Sequence, residues 1–458
     1  MQINKIPRIQ AFVSGFGMLF IAALDFSINV SLPVFRESMN IDIVLVLWII
    51  IVYHAARSGT GFIAGIYSDY FGIKRLAILG IAFYTISVAL IGLQNNLFEV
   101  TLLRIPQGIG AAILFTLGPA LISKTFGAKQ KGTALGFTLT AVAIGQMTGV
   151  LLGGWISDEF GWKYIFYMRI PFGVLVFVFT LIGLRTLDRT HLLPQKPPSF
   201  ESSIFLFSGI FSAVLFIGCL ITNGLISVTT ISSLIISVCM FFLFLRRDQH
   251  KTNKLVTFSL SQKNLEILSG GLSNLLVTTG TFIMWFLFPF YVNDIVRESG
   301  LMIGFLLGLL SFSSLLGYIT GGLLSDQIGD KFTTVVGSIV SAAGLLLLLT
   351  TLNNGDLSLI QLATIIHGLG FGVHQGSVYA LNLRDTEENS TGLFSATLSV
   401  SQTVGTVFSI ALFGSLFIWI SDTYDNTLLA YKLSFIAASI ITLLGGIIVI
   451  SRGFNTTK

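Results

Sequence analysis

Long uninterrupted apolar runs alternate with short polar connections along nearly the whole chain. Fourteen runs fall near 10–35, 43–66, 76–94, 100–123, 132–156, 164–184, 203–222, 224–245, 265–292, 300–324, 332–352, 357–381, 391–420 and 428–450. Each is long enough to cross the hydrocarbon core of a bilayer as a helix. The runs are continuous rather than alternating, which favours helices over a barrel. The pattern predicts an all-α integral membrane protein with fourteen transmembrane helices.

One polar connection occurs twice. Gly65-Ile66-Tyr67-Ser68-Asp69-Tyr70-Phe71-Gly72-Ile73-Lys74-Arg75 joins the second and third runs. About 257 residues later, Gly322-Leu323-Leu324-Ser325-Asp326-Gln327-Ile328-Gly329-Asp330-Lys331 joins the tenth and eleventh. The repeat extends further: at an offset of about 260, Gly108 and Gly110 fall on Gly368 and Gly370, Gly132 on Gly392, and Gly145 on Gly405. Related halves of this kind are how many membrane transporters are built. The expected organisation is a six-helix bundle over 1–186, linkers with two inserted helices over 187–264, and a second six-helix bundle over 265–458. Pro194, Pro197 and Pro198 suit an exposed linker between them.

Composition agrees with the pattern: 53% of residues are hydrophobic, 10% are charged, and mean hydropathy is +0.86. Soluble domains carry about 25% charged residues. The net charge of +5 does not indicate nucleic acid, because its distribution is topological. With a cytoplasmic N-terminus, most of the basic residues fall in inner tails and loops. Only Arg36, Lys163, Arg297 and Lys432 fall in outer loops or helix ends, so both termini are expected in the cytoplasm. The first run follows Lys5 and Arg8, but it is too long for a cleaved signal peptide and lacks a small-residue cleavage site. Cys219 and Cys239 lie inside runs and read as packing residues rather than a disulfide or metal site.

Among 21 acidic residues, only Asp25 falls deep in a span. Such a carboxylate is costly in hydrocarbon and usually carries protons, ions or ligands. Burial favours its neutral form and a nearby cation its charged form, so it can exchange a proton as water access alternates; the bland alternative is a fixed structural ion pair. Asn29 and Pro33 follow at four-residue spacing on the same helix face. Arg57, Arg104 and Arg169 share the interior. Rise per residue puts Arg104 within a side chain's length of Asp25, so it is the favoured partner, with Arg57 next. Arg169 suits either helix packing or attraction of an anionic solute. Gly145, Gly149, Gly153 and Gly154 give the fifth run a bare stripe for close helix approach. Asp69 and Asp326 suit helix capping or pairing with a loop cation.

His54, His367 and His374 are intramembrane imidazoles, more often hydrogen-bonded interior groups than proton carriers. His367, His374, Gln375, Tyr379 and Asn382 offer the second half a neutral polar wall. Trp48, Tyr53, Trp285, Phe288 and Tyr291 offer ring faces to a planar or cationic solute, a role that competes with ordinary packing. Asn29, Tyr53, Gln107, Gln146, Trp285, His374 and Gln375 are the candidate substrate-contact residues. No nucleotide-binding loop, metal-ligand cluster or nucleophile–His–acid arrangement stands out, so neither a cofactor nor ATP-driven work is expected, and the chain does not read as an enzyme.

These residues carry a family resemblance that covers most of the chain. Leu24 to Pro33, Gly65 to Arg75, Arg104 to Gly110 and Gly145 to Gly154 resemble the first-helix, helix 2–3 loop, fourth-helix and fifth-helix motifs of major facilitator superfamily transporters. The resemblance is to the fourteen-helix drug:proton antiporters, which include tetracycline and quaternary-ammonium exporters. It implies a conformational gate at Gly65, Asp69, Gly72, Lys74 and Arg75, with Asp326 and Gly329 in the second copy. It implies proton coupling through Arg104, to which the depth of Asp25 and Arg57 adds those two as candidates, and an antiport-type glycine helix at Gly145, Gly149, Gly153 and Gly154. Three departures stand out: Val150 replaces the usual Pro, Arg169 stands where relatives often have Asn, and the tenth and thirteenth runs lack further acids. The expectation is a monomeric secondary exporter in the cytoplasmic membrane of a microbe. It would exchange protons for a neutral or monovalent amphipathic compound bound near the midplane between the halves. A symporter or metabolite exporter on the same fold, and a nontransporting receptor or enzyme, are the alternatives.

Overall fold

A computed structural model describes residues 5–123, 125–126, 131–184, 199–224, 226–249, 262–352, 354–383 and 391–450. The proposed proline linker therefore lies outside the described residues. The long helices are α1 (Lys5–Ala23), α2 (Ile43–Phe71), α3 (Ile73–Gly92), α4 (Leu97–Ser123), α5 (Lys131–Phe160), α6 (Arg169–Gly183), α7 (Phe200–Asn223), α8 (Val228–Gln249), α9 (Gln262–Thr281), α10 (Gly300–Ile328), α11 (Asp330–Leu348), α12 (Leu357–Leu383), α13 (Thr391–Tyr424) and α14 (Thr427–Ile450). Helices satisfy their own backbone groups, which hydrocarbon demands. Among the described residues thirteen helical stretches are long and apolar enough to span a membrane, and α2 contributes a shorter apolar run, Leu45–Gly61.

The chain divides into two compact units: Met1–Ile28 with Val34–Phe258, and Asn29–Pro33 with Ser259–Lys458. Packing repeats within each. In the first unit α4 packs on α2 and α3, while α1 packs on α5 and α6. In the second, α12 packs on α10 and α11, while α9 packs on α13 and α14. The inserted α7 and α8 pair with each other, and α7 lies along α2. There Tyr67 and Ser203 share a hydroxyl–hydroxyl hydrogen bond of 3.0 Å. The outer faces of α3 and α8 present apolar residues such as Phe83, Ile86, Ile235, Val238 and Phe242, as lipid-facing helices require. Cys219 and Cys239 are free thiols, the latter exposed.

Two sequence expectations change here. The first span is not one straight helix: α1 gives way to a 3-10 turn at Leu24–Phe26, a short helix at Ser27–Val30 and a further helix at Leu32–Met39. Pro33 has no N–H to donate to the carbonyl four residues earlier, so the ladder is weakened there. The simple four-residue stripe through Asp25, Asn29 and Pro33 therefore crosses two breaks. The repeated loop is also mostly helix. Gly65 to Phe71 completes α2, and Gly322 to Ile328 completes α10. The turn itself is one residue, Gly72 at φ +86° and Gly329 at φ +90°, a region that glycine enters without steric cost. Gly72 N–H donates to Ser68 O at 3.1 Å, and Gly329 N–H to Ser325 O at 3.2 Å.

Candidate functional site

The break in the first span sets the position of Asp25. The glycine stripe of α5 lies against it: a Cβ on Gly145 would stand 2.5 Å from Phe20 O, one on Gly149 2.7 Å from Leu24 O, and one on Gly153 2.7 Å from Ser27 Cβ. Missing side chains thus let α5 touch the backbone on both sides of the carboxylate. Gly154 is buried beside them. With Val150 in place of a proline, α5 runs as one helix from Lys131 to Phe160.

Asp25 is buried and takes four hydrogen bonds. Arg104 Nη1 donates to Oδ1 at 2.9 Å and Arg104 Nη2 to Oδ2 at 3.0 Å. Gln107 Nε2 donates to Oδ1 at 2.7 Å, and Arg169 Nη1 donates to the same oxygen. The carboxylate therefore has two ion-pair partners. Charge-assisted, bidentate contacts of the Arg104 kind are among the stronger hydrogen bonds in proteins.

Each arginine has further holds. Arg104 Nε donates to Ile49 O at 3.1 Å, its Nη1 donates to Gln107 Oε1 at 2.8 Å, and its guanidinium lies 4.2 Å from the centre of the Tyr53 ring. Arg169 Nη2 donates to Ser27 Oγ at 2.6 Å, and its guanidinium lies 4.9 Å from the Phe166 ring centre. Both arginines are buried. Arg57, the other candidate, places its guanidinium 4.1 Å over the Phe115 ring. One carboxylate against Arg104 and Arg169 leaves this cluster one positive charge in excess.

The other candidate residues scatter. Gln107 and Tyr53, read as substrate contacts, sit instead in the arginine network. Asn29 is buried and Gln146 half-buried. In the second unit, Gln375 Nε2 donates to Asn274 Oδ1 at 2.8 Å, and Asn274 Nδ2 donates to Ser401 Oγ at 2.9 Å and Leu398 O at 3.1 Å. The His367 and His374 rings turn toward α11, with Nδ1 at 2.8 Å from Ser341 O and 3.3 Å from Thr334 O. These contacts fasten α12 to α11. Trp285 is buried, and Tyr291 packs against Tyr431 and Phe435 and shares a hydrogen bond with Thr351. Lys74 is half-buried, while Arg75 and Asp326 are exposed; the Asp69 side chain lies outside the described residues. No cluster of three or more metal-ligating side chains occurs among the described residues.

Sequence reasoning passed over Asn274 and Ser27, both small polar residues in apolar runs. It also left Arg169 without a partner. The signal for Arg169 was present: Arg169-Ile170-Pro171 duplicates Arg104-Ile105-Pro106, and one deep acid must answer more than one deep arginine.

Comparisons with known proteins bear on the family and the fold. The chain is 26% identical to the riboflavin transporter RibZ of Clostridioides difficile, over 92% of this chain and 90% of that protein. It is 24% identical to the multidrug transporter protein MdtP of Bacillus subtilis, over 87% of this chain and 73% of that one. It is also 24% identical to the multidrug resistance protein Stp of Mycobacterium tuberculosis, over 92% and 78%. Among solved structures, the fold is similar to that of a mutant peptide transporter POT in complex with sulfate, with a TM-score of 0.71 at 13% identity, covering 98% of both chains. The description of the Major Facilitator Superfamily matches residues 15–261 and 270–455, and the chain belongs to that family of membrane transporters.

Proposed function

We propose that this transporter is a proton-coupled exporter of a small amphipathic compound, working by alternating access from the cytoplasmic membrane with both termini in the cytoplasm. The observation that carries the reading is the buried Asp25 carboxylate, shared between arginines on two other helices. A carboxylate in that position offers a switch: ionised, it joins α1 to α4 and α6; protonated, it surrenders charge-assisted contacts. A proton then acts as a ligand that shifts the balance of conformations, which requires only that the two states bind it unequally. The bare contact between α5 and α1 gives that switch a close-fitting neighbour, in keeping with the antiport-type motif. Lys74 and Arg75, at the start of α3, and Gly72, at its turn, suit the gating role. Multidrug relatives support an amphipathic substrate, and the single deep acid favours a neutral or monovalent one.

A second reading has its own support. The relative with 26% identity is a riboflavin transporter, and the Asn274–Gln375–Ser401 cluster is uncharged. Both fit a neutral, hydrogen-bonding metabolite in place of a drug. Proteoliposomes carrying the full-length protein distinguish direction and substrate together. With an imposed inward proton gradient, antiport expels a preloaded dye from the proton-receiving compartment, and symport accumulates solute there. Expulsion of amphipathic dyes, lost in Asp25→Asn, is the expected result. Flux of flavins alone favours the metabolite reading, and gradient-independent flux removes proton coupling altogether.

A further inference from the structure

The two oxygens of Asp25 are not equivalent. Oδ1 accepts from Arg104, Gln107 and Arg169, while among the described residues Oδ2 accepts only from Arg104 Nη2. A proton arriving at Oδ1 would displace or crowd three donors; at Oδ2 it displaces one. The holds on the two arginines are also segregated. Arg104 is kept by α2 and α4, through Ile49 O, the Tyr53 ring and Gln107 Oε1. Arg169 is kept beside the first span through Ser27 Oγ, which lies two residues beyond Asp25. The carboxyl and Arg169 therefore belong together mechanically, and Arg104 belongs to the neighbouring pair of helices.

We infer that Arg169 is a positioning residue that keeps the Asp25 carboxyl with α6 while Oδ2 receives the proton and Arg104 Nη2 lets go. The inference rests on the proton-coupling reading above. In the step itself a hydronium gives its proton to Oδ2 and becomes water, the Nη2–H···Oδ2 contact is lost, and no other covalent bond changes. Arg104 retains Ile49 O and the Tyr53 ring, so its guanidinium stays with α2 and α4. Arg169, Gln107 and the remaining Arg104 Nη1 can still donate to the carbonyl-like Oδ1 of the neutral acid, so the bidentate Arg104 contact becomes a single one. Protonation thus weakens the seam between the first span and α4 while leaving the seam with α6 fastened. Without Arg169 the carboxyl would be fixed only from α4, by Gln107 and Arg104, and release of Arg104 would leave Gln107 alone to set its direction.

The groups around Asp25 are few. Arg104 and Gln107 face it from α4, Arg169 from α6, Tyr53 and His54 stand near it on α2, with Arg57 acting on those two, and Tyr84 stands near it on α3; α5 brings backbone at Gly149. Arg57 provides an internal control, since it is a cation in the same unit whose guanidinium is stacked on Phe115.

The test is pH-dependent infrared difference spectroscopy of the full-length protein in liposomes, following the protonated-carboxyl band and using Asp25→Asn to identify the Asp25 contribution. Removing a directly paired cation moves a carboxyl titration by about one to three pH units, so Arg169→Gln is expected to move the midpoint upward by that amount. Arg169→Lys should return it most of the way, and Ser27→Ala should move it upward by less. Arg57→Gln, which removes the same charge without touching the carboxylate, should move it least. Thermal melting checks that each variant folds; if Arg169→Gln does not, Arg169→Lys and Ser27→Ala still report the midpoint. Equal shifts in the Arg57 and Arg169 variants, or no shift with Ser27→Ala and Arg169→Gln, would overturn the positioning role. A wild-type Asp25 that takes up no proton between about pH 4 and about pH 10 instead removes the proton-coupling reading beneath it.

Discussion

The first unit fastens its central helices with buried charge; the second makes equivalent helix contacts with neutral groups. At the repeat offset of about 260, Arg104 and Gln107 fall on Thr364 and His367. Thr364 merely returns its hydroxyl to Ile360 O at 2.8 Å within its own helix, and His367 bonds to the α11 backbone. Yet α12 packs on α10 and α11 as α4 packs on α2 and α3. The second unit is thus an internal control for the first. The helix contacts described above in the second unit are made by neutral groups, and replacing buried ion pairs by uncharged packing is often neutral or stabilising. The charge on Asp25, Arg104 and Arg169 is consequently better explained by what the unit does than by what keeps it folded.

Substitutions can break that contrast or sharpen it. The largest effect is expected from Asp25→Asn, which leaves two buried guanidiniums without their anion. Proton-driven transport should fall to background in proteoliposomes, and the folded state should lose about 3–5 kcal/mol in thermal or denaturant melts. Retention of proton-driven flux would place the coupling elsewhere. Gly149→Leu comes next, because a side chain there meets Leu24 backbone. Overpacking of this kind costs about 1–3 kcal/mol or more, and reduced yield of folded protein should accompany it. Gly405→Leu in the second unit meets Leu275 O and should behave alike, since this part of the architecture is shared.

Smaller effects belong to the neutral cluster and the turns. Gln375→Leu leaves Asn274 Oδ1 short of a donor, with a cost of about 1–3 kcal/mol; whatever flux remains should still respond to the proton gradient, in contrast with Asp25→Asn. Gly329→Ala meets no neighbouring atom within 4 Å but must hold φ +90°. A loss of about 1–2 kcal/mol is expected from that conformation alone, and Gly72→Ala should show at least as much. Least of all should follow from Glu201→Gln. Its 2.6 Å pair with Arg247 is more than half exposed, and surface pairs contribute about 0–1 kcal/mol. A large loss there would mean that the inserted helices do more than pack along α2.

Much of the fold was legible because hydrocarbon imposes a simple rule on sequence: continuous apolar length. The fourteen runs correspond to the long helices, and the glycine correspondences at 108 and 368, or 145 and 405, correspond to matching packing contacts. Boundaries were less legible where polar residues still sit in helix, as at Ser68 and Tyr70, whose backbone bonds do not depend on side-chain hydropathy. The break at Leu24–Phe26 was hidden for the opposite reason, since a 3-10 turn has the same apolar composition as the helix around it. The site divided similarly. Asp25 announced itself as the one deep acid, and Arg104 by its depth. The contact between Asp25 and Arg169 links positions 144 residues apart, and helical periodicity carries no information about which helices become neighbours. Tyr53 and Gln107 were recognised as interior polar groups, but only the packing of α2 and α4 turns them toward an arginine instead of a solute.

The contact between α5 and the first span limits how this transporter can vary under selection. On that side Asp25 is flanked by backbone: Phe20 O, Leu24 O and the Ser27 region fill the space where side chains on Gly145, Gly149 and Gly153 would stand. Substitutions there would register as failures of assembly before they could alter specificity or coupling. Heritable adjustment of the proposed switch is left to the opposite side, where Arg104, Gln107 and Arg169 meet the carboxylate through exchangeable side chains. Adaptation of such a protein to a new compound or a new pH should therefore accumulate on α4 and α6 and leave α5 untouched.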